Sequence, residues 1–523
     1  MTGRRRAAAS PAVVSVEADL PRVTVRRGSI ASTPLLTADD VDAVVLPIAP
    51  AAERDEGVQP RTGTAEAAAR FGIDLADLAE RAEADGSAGS AHTVHLPQAL
   101  GGRTLPWAGL PRRIVLVGVG YGEPADLRRA GAAIARATCG LRQVVTTVGA
   151  DGGTDRTEAL VEGYLLGAYR HPTRATGKPA PGPADMLVLL GKYWPVEVAR
   201  HTAAATWTAR VLTVTPSSTK TPEWLADRAV EAARAAGCEV RVLGPAELAT
   251  QGFGGLLAVG SGSAHPPRLV TVGYTPAGRR GARHVVVVGK GITFDTGGLA
   301  VKPRESMVAM KTDMAGAAVA LATVLGAAAL GVPHRVTALL PLAENALGGA
   351  SYRPGDVLRV YGGTTVEVAN TDAEGRLELA DALSYADAEL DPDVLVDVAT
   401  LTGAATLGLG KQHGALFTDD DDLAEALLAA GKAAGEPLWR LPLVADYRSA
   451  LDSTVADIRQ APDPAVGAGA ITAALFLQRF AGRRRWAHLD IAGPARAASS
   501  AHEVPEGATG FGARLLLRWL REA

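Results

Sequence analysis

The chain has 523 residues, too many for one ordinary hydrophobic core, so two domains are the natural expectation. Hydrophobic residues make up 47% and aromatics only 4%, which implies a core built from Ala, Val and Leu. A net charge of −3 gives no general attraction to nucleic acid or an anionic membrane, and two cysteines cannot form a disulfide framework.

In chain order, residues 1–25 are basic and Ala-rich and read as a mobile leader. Pro11, Glu17 and Asp19 interrupt any apolar segment behind Arg4-Arg5-Arg6, so no signal peptide is expected. Residues 26–195 read as a smaller N-terminal α/β domain, with strands at Val44-Val45-Leu46-Pro47 and Ile114-Val115-Leu116-Val117 and a helix over 126–139. Gly118-Val119-Gly120-Tyr121-Gly122 lacks the spacing and acidic partner of a dinucleotide loop and reads as a tight turn. The tract Gly177-Lys178-Pro179-Ala180-Pro181-Gly182-Pro183 reads as a surface loop. Cys139 and Cys238 are expected to be buried small hydrophobes. A linker helix over 196–212 leads into a larger C-terminal α/β domain, 213–523.

That larger domain carries the chemistry. His284-Val285-Val286-Val287-Val288 is a continuous apolar run, as in a strand covered on both faces. Gly289-Lys290-Gly291-Ile292-Thr293-Phe294-Asp295-Thr296-Gly297-Gly298 follows, with glycines that permit tight turns and close approach to a ligand. Lys302 comes next. Met310-Lys311-Thr312-Asp313-Met314 then opens an Ala-rich core helix, the closest approach in the chain to a membrane-length apolar stretch. Asp313 falls in or near the first turn of that helix, where a carboxylate is also an ordinary cap.

A second cluster, Asn370-Thr371-Asp372-Ala373-Glu374-Gly375-Arg376, follows the β-like run Thr364-Thr365-Val366-Glu367-Val368. In an extended chain, alternate residues share a side, so Asp372, Glu374 and Arg376 are expected to converge. Alone, such a segment is most simply a solvated acidic loop. Beside the first cluster it offers, with Asp295 and Asp313, four carboxylates from loops after strands and at a helix start. Such oxygen ligands suit magnesium, manganese or zinc, and neither cluster contains a histidine. Four carboxylates can hold two divalent ions about 3.5–4 Å apart, the spacing used in metal-assisted hydrolysis. Of Lys290 and Lys302, one can serve as a neutral ligand and the other can polarise a carbonyl.

Two other charge runs are read as structural. Asp419-Asp420-Asp421-Asp422 fans out around the backbone at a helix start, and Arg483-Arg484-Arg485 is surface charge before a strand over 486–491. His488 is expected to be a core histidine.

Both clusters resemble the leucyl (cytosol) aminopeptidase family. The likeness extends through Leu342-Ala343-Glu344-Asn345, Ser351-Tyr352-Arg353-Pro354-Gly355-Asp356-Val357, Ala399-Thr400-Leu401-Thr402-Gly403-Ala404 and Thr509-Gly510-Phe511-Gly512. It is dense over roughly the last three hundred residues and faint before them. The resemblance implies a mixed central sheet flanked by helices and a metallo-exopeptidase that removes the N-terminal residue, leucine-like preferred, from peptides. It implies Lys290, Asp295, Asp313, Asp372 and Glu374 as ligands of two divalent ions, manganese or zinc, with Asp295 and Glu374 bridging. Lys302 and Arg376 fall on the catalytic positions. Lys302 would stabilise the oxyanion and Arg376 would hold a bicarbonate, helped by backbone around Gly375 and Leu401. Met310, Thr400 and Gly403 match positions near the pocket for the first side chain.

The family also implies a cytoplasmic homohexamer. Thr296 and Ala315 stand where serine and glycine are common, and the asparagine usual in the stretch before Thr215-Pro216 is missing; none of these is an expected ligand or catalytic residue. A DNA-binding role, added by some bacterial relatives, finds no support in the net charge. A non-catalytic binding module is disfavoured because every ligand position is retained.

Overall fold

Apolar runs bounded by glycine and proline become strands throughout the computed structural model, which describes residues 19–52, 57–150, 152–170, 181–278 and 281–523. Residues 1–18 of the expected leader and most of the Gly177 to Pro183 tract lie outside the described residues. The chain divides into two compact units.

The first unit comprises Glu17–Ala204 with Ser499–Glu506. Its strands are β1 (Arg22–Arg26), β2 (Ala43–Ala49), β3 (Gln59–Pro60), β4 (Ala91–His95), β7 (Arg113–Gly118), β8 (Gln143–Thr146) and β9 (Met186–Leu190), beside a small hairpin of β5 (Ala99–Leu100) and β6 (Arg103–Thr104). They pair in the order β1-β9-β8-β2-β7-β4, with β3 on β2. Pairing is parallel from β1 to β7 and antiparallel only at β4 and β3. All seven residues of β2 are buried, as fits a central strand covered on both faces. Strand β1 corrects the expected leader, because residues 22–26 pair in register with 186–190. Its alternation of valine with polar residues was outweighed in the sequence by the arginines around it. Gly118 to Gly122 is a tight turn, closed by Gly122 N–H donating to the Val119 carbonyl at 2.9 Å. Cys139 is half-buried rather than fully buried.

The second unit holds Ala205–Ala498 and Gly507–Ala523. Its main strands are β10 (Glu239–Leu243), β11 (Arg268–Tyr274), β12 (His284–Gly289), β13 (Gly291–Asp295), β14 (Arg335–Asn345), β17 (Val394–Ala399), β18 (Gly414–Phe417), β19 (Leu438–Arg440) and β21 (Arg485–Asp490). They run β10-β11-β14-β12-β17-β21-β18-β19, with β13 beside β14, in a mixed sheet. A smaller sheet joins β15 (Val357–Arg359), β16 (Thr365–Glu367) and β20 (Ile458–Arg459). Successive residues of β12 serve opposite cores. Val285 and Val287 pack with the helix Ala315–Leu330, whereas Val286 and Val288 pack with Leu377, Leu379 and Phe476. The span Arg304–Leu330 is long and apolar enough to cross a membrane, yet 78% of its most apolar window is buried inside the fold. It is the core helix expected from its alanines.

The parallel strands β12, β17 and β21 end at Gly289, Ala399 and Asp490, and β14 ends at Asn345. The loops leaving these carboxyl ends build the site described below, the usual location in α/β sheets. The charge runs read as structural are ion-paired. Asp420 caps the helix Asp421–Ala434 and binds Arg485, and Arg484 binds Asp387 and Asp391 at 2.6 Å each.

At the other end of β12, His284 joins two strands. Its Nε2 lies 2.9 Å from Thr337 Oγ1 and its Nδ1 3.1 Å from the Leu390 carbonyl. A carbonyl can only accept, so Nδ1 carries the proton and Nε2 accepts from the threonine in the neutral ring. Burial, then the Arg335 charge, lower its pKa from 6.5 to about 4. A lowered histidine favours the folded state above its unfolded pKa, and that contribution is lost as pH falls through the folded value. Stability is therefore expected to drop from about pH 6.5 towards pH 4, and His284→Gln should flatten that slope in urea denaturation series between pH 7 and 5.

Candidate active site

The segment expected to be extended is instead a turn followed by a helix. Ala373 N–H donates to the Asn370 carbonyl at 3.1 Å, Asp372 N–H donates to Asn370 Oδ1 at 2.9 Å, and the helix Gly375–Tyr385 starts after Glu374 in αR geometry. Asp372 and Glu374 still converge, but through the turn. The asparagine that makes this Asx turn outweighs the extended preference of the strand before it. Arg376, the second residue of the helix, donates from Nη1 to the Gln460 carbonyl at 2.8 Å.

Asp295, Asp372 and Glu374 each place one carboxylate oxygen within 4.8 Å of the others, a grouping able to hold a metal ion. Asp313 joins through Lys290, whose Nζ lies 2.9 Å from Asp313 Oδ2 and 2.8 Å from Glu374 Oε1. Lys290 Nζ also donates to the Thr400 carbonyl at 3.1 Å, which engages all three of its N–H groups. Lys302 Nζ spans the other pair, 2.9 Å from Asp295 Oδ2 and 2.5 Å from Asp372 Oδ1. The lysines differ in access, since the Lys290 side chain is 4% exposed and that of Lys302 is 14% exposed.

The electrostatics follow from crowding like charges in a buried space. Burial, then the Glu374 charge, raise the Asp295 pKa, and burial raises Asp313 to about 8 and lifts Asp372. Burial alone would lower Lys290, but Asp313, Glu374 and Asp295 hold it well above the ordinary lysine value. Lys302 is raised in the same way, chiefly by Asp295 and Glu374 against burial. Burial lowers Arg376 to about 10.

Glycines make these approaches possible. A Cβ on Gly375 would lie 2.4 Å from Lys290 Cε, and one on Gly297, at φ +86°, would lie 2.9 Å from Asp372 Oδ1. The donor set fits divalent cations. The Glu374 Oε2 atom is buried and has no hydrogen-bond partner among the described residues, and the two ammonium groups sit between carboxylates where small cations fit.

Several expected pocket residues have additional contacts. Thr400 Oγ1 donates to Asp313 Oδ1 at 2.7 Å, which draws it into the charged centre. The Leu401 N–H is taken by Asp490 Oδ1 at 3.2 Å, and Thr402 N–H and Oγ1 bind Asp490 Oδ2 at 3.0 and 2.7 Å. Met310 and Gly403 sit at a 3-10 turn and a helix start, with Met310 half-buried. His488 is a core histidine, 2.5 Å from Asp397 Oδ1 through Nδ1.

Residues without an assigned role in the sequence hold the site in shape. Asn345 Nδ2 donates to Asp295 Oδ1 at 2.8 Å and to the Thr371 carbonyl at 3.1 Å. Thr371 Oγ1 donates to the Gly297 carbonyl and accepts from Ala300 N–H, both at 2.8 Å. Lys220, fully buried, donates to the carbonyls of Leu212, Thr213 and Lys311 at 3.0, 2.9 and 2.7 Å and so tethers the Met310–Thr312 turn before Asp313. Asn345 closes a recognisable strand end, whereas nothing local marks Lys220.

The fold and its charged centre place this protein among hydrolases of the metal-dependent class. Residues 207–517 match the catalytic domain of the cytosol aminopeptidase family, and residues 45–174 match that family's N-terminal domain. A probable cytosol aminopeptidase from Chlorobaculum tepidum is 43% identical over 78% of this chain and 86% of its own length. One from Roseiflexus castenholzii is 44% identical over 80% of this chain and 88% of its own. Among solved structures, the bottromycin maturation enzyme BotP in complex with Mn superposes with a TM-score of 0.78 at 38% identity, covering 92% of this chain and 99% of that one. The chain belongs to the cytosol aminopeptidase family.

One consequence concerns Asn345, whose amide faces the Asp295 carboxylate. Asn345→Asp keeps the shape but sets two buried carboxylates together. The metal-free variant is expected to lose about 3 kcal/mol or more of stability, read by urea denaturation.

Proposed function

We propose that the chain is an aminopeptidase that removes the N-terminal residue, leucine-like preferred, from peptides with the help of two divalent ions. The observation that carries this reading is the convergence of Asp295, Asp372 and Glu374 within 4.8 Å. Lys290, Asp295, Asp313, Asp372 and Glu374 would hold the ions, with Asp295 and Glu374 shared between them. Bound ions of this kind lower the pKa of a water and polarise the scissile carbonyl. Manganese accords with the ion in the BotP complex, and zinc accepts the same carboxylates.

The two lysines divide the work by their hydrogen bonding. Lys290, held protonated by its carboxylate partners in the metal-free centre, would give up a proton and act as a ligand only once bound ions supply that positive charge themselves. Lys302 has one N–H beyond its two carboxylate contacts and the greater access, so it faces the developing oxyanion as a fixed positive charge. Arg376 Nε is buried and has no hydrogen-bond partner among the described residues, which suits an anion such as bicarbonate acting as general base beside Gly375 and Leu401. Met310, Thr400 and Gly403 would border the pocket for the first side chain. A cytoplasmic homohexamer is the assembly that the family resemblance implies, to be tested by sedimentation.

Asp372→Ala and Glu374→Ala are expected to abolish metal-dependent hydrolysis of leucine anilides while leaving circular dichroism unchanged. Unaltered turnover in either variant would sink the assignment. Lys302→Ala should reduce kcat by at least about a hundredfold, as loss of an oxyanion-stabilising group does, with metal content by mass spectrometry near wild type. If that variant simply loses its ions, Lys302 is a ligand and the division between the lysines is wrong.

A further inference from the structure

One buried glutamine grips the loop bearing Asp372 and Glu374 along its whole length. Gln460 follows strand β20 and has no exposed surface. Its Oε1 accepts from the backbone N–H groups of Ala369 and Asn370, at 3.1 Å each. Its Nε2 donates to the Ala373 carbonyl at 2.8 Å. Its own carbonyl accepts from Arg376 Nη1 at 2.8 Å, and its N–H donates to the Glu367 carbonyl at 2.9 Å.

Two consecutive N–H groups reach the same acceptor only where the chain turns, since in a strand they point to opposite sides. The side-chain amide therefore clamps the turn that Asn370 initiates. Its planar geometry also fixes how far the N–H groups before the turn stand from the carbonyl after it. Between those anchors lies Asp372, and directly after the second lies Glu374. The platform beneath is separate, because Arg459 turns the other way and pairs with Glu367 at 3.1 Å.

We propose that Gln460 is a positioning residue that sets the separation of the Asp372 and Glu374 carboxylates and thereby the affinity for divalent ions. The proposal rests on the metal reading given above. A neutral amide is required, because a carboxylate in its place would face the Ala373 carbonyl with no proton to donate. The contact to Arg376 uses backbone and survives any change of side chain, so the metal ligands should loosen while the Arg376 anchor persists.

The test is calorimetric titration of metal-free full-length protein with Mn2+, for wild type, Gln460→Ala, Gln460→Asn and Arg459→Ala. Loss of a residue that orients ligands from behind typically weakens metal binding about 10–100-fold. Gln460→Ala is expected in that range, and Gln460→Asn, which keeps the amide one methylene short, should fall between it and wild type. Arg459→Ala should bind as wild type does. At saturating Mn2+, kcat of the Gln460 variants should return to near the wild-type value, which a general packing defect would not allow. If Gln460→Ala fails to fold, the Asn variant alone decides. Wild-type affinity in the Gln460 variants, or an equal loss in Arg459→Ala, overturns the role of Gln460. Wild-type protein that takes up no Mn2+ overturns the metal reading itself and this role with it.

Discussion

The whole centre depends on keeping four carboxylates close together in a space largely shut off from water. Two like charges 4 Å apart repel by about 4 kcal/mol even at an effective dielectric of 20, against a net stability of roughly 5–15 kcal/mol for a folded domain. Two ammonium groups interleave with the carboxylates, Lys290 between Asp313 and Glu374 and Lys302 between Asp295 and Asp372. Neutralisation is only partial, because four acids face two bases, and burial first, then the neighbouring acids, raise the pKa values of Asp295, Asp313 and Asp372. An arrangement that costs stability in this way has to be held by the rest of the fold. It also has an evident use, since divalent cations relieve the same repulsion.

Around Asp295 and the Asp372 loop the holding is done by neutral groups. Asn345 and Gly297 N–H donate to Asp295 Oδ1, and Thr371 ties the Lys302 loop to the Asp372 loop through the Gly297 carbonyl and Ala300 N–H. A further acid among these supports would add to the repulsion, whereas amides and hydroxyls supply direction without net charge. The core behind them is built to allow close approach. Gly316, in the core helix, leaves no room for a Cβ against the Val398 carbonyl and the Lys290 N–H, so helix, strand β17 and the lysine loop meet at backbone distance. The low aromatic content noted in the sequence has its structural counterpart here.

The chemistry was more legible in the sequence than the geometry that delivers it. Gly289 to Gly298 and Asn370 to Arg376 announced their carboxylates through composition and glycine placement, and the continuous apolar run at β12 announced a strand buried on both faces. The convergence of Asp372 and Glu374 was anticipated for the wrong reason, because an Asx turn and a helix start replaced the extended chain. Gln460, Asp490 and Lys220 were not legible. Each reaches at least one backbone group that lies far from it in the chain, Lys311 in the case of Lys220, and no periodicity encodes which carbonyl or N–H a distant side chain will reach. The pairing of residues 22–26 with 186–190 was hidden because the surrounding arginines masked its valine alternation.

The contrast between Lys290 and Lys302 shows how such long-range contacts give identical side chains different chemistry. Lys290 leaves the end of a central strand, and Asp313, Glu374 and the Thr400 carbonyl take every proton it carries. Lys302 leaves a loop whose neighbours Leu299 and Val301 are exposed, and among the described residues its two carboxylate partners leave one of its protons uncommitted. Protons already shared out inside the centre cannot be offered to an incoming carbonyl without breaking a buried ion pair, whereas an uncommitted one on the open side can. Position on the sheet therefore leaves the buried lysine with every proton inside the centre and the more accessible one with a proton to spare, the difference on which the proposed division of roles rests.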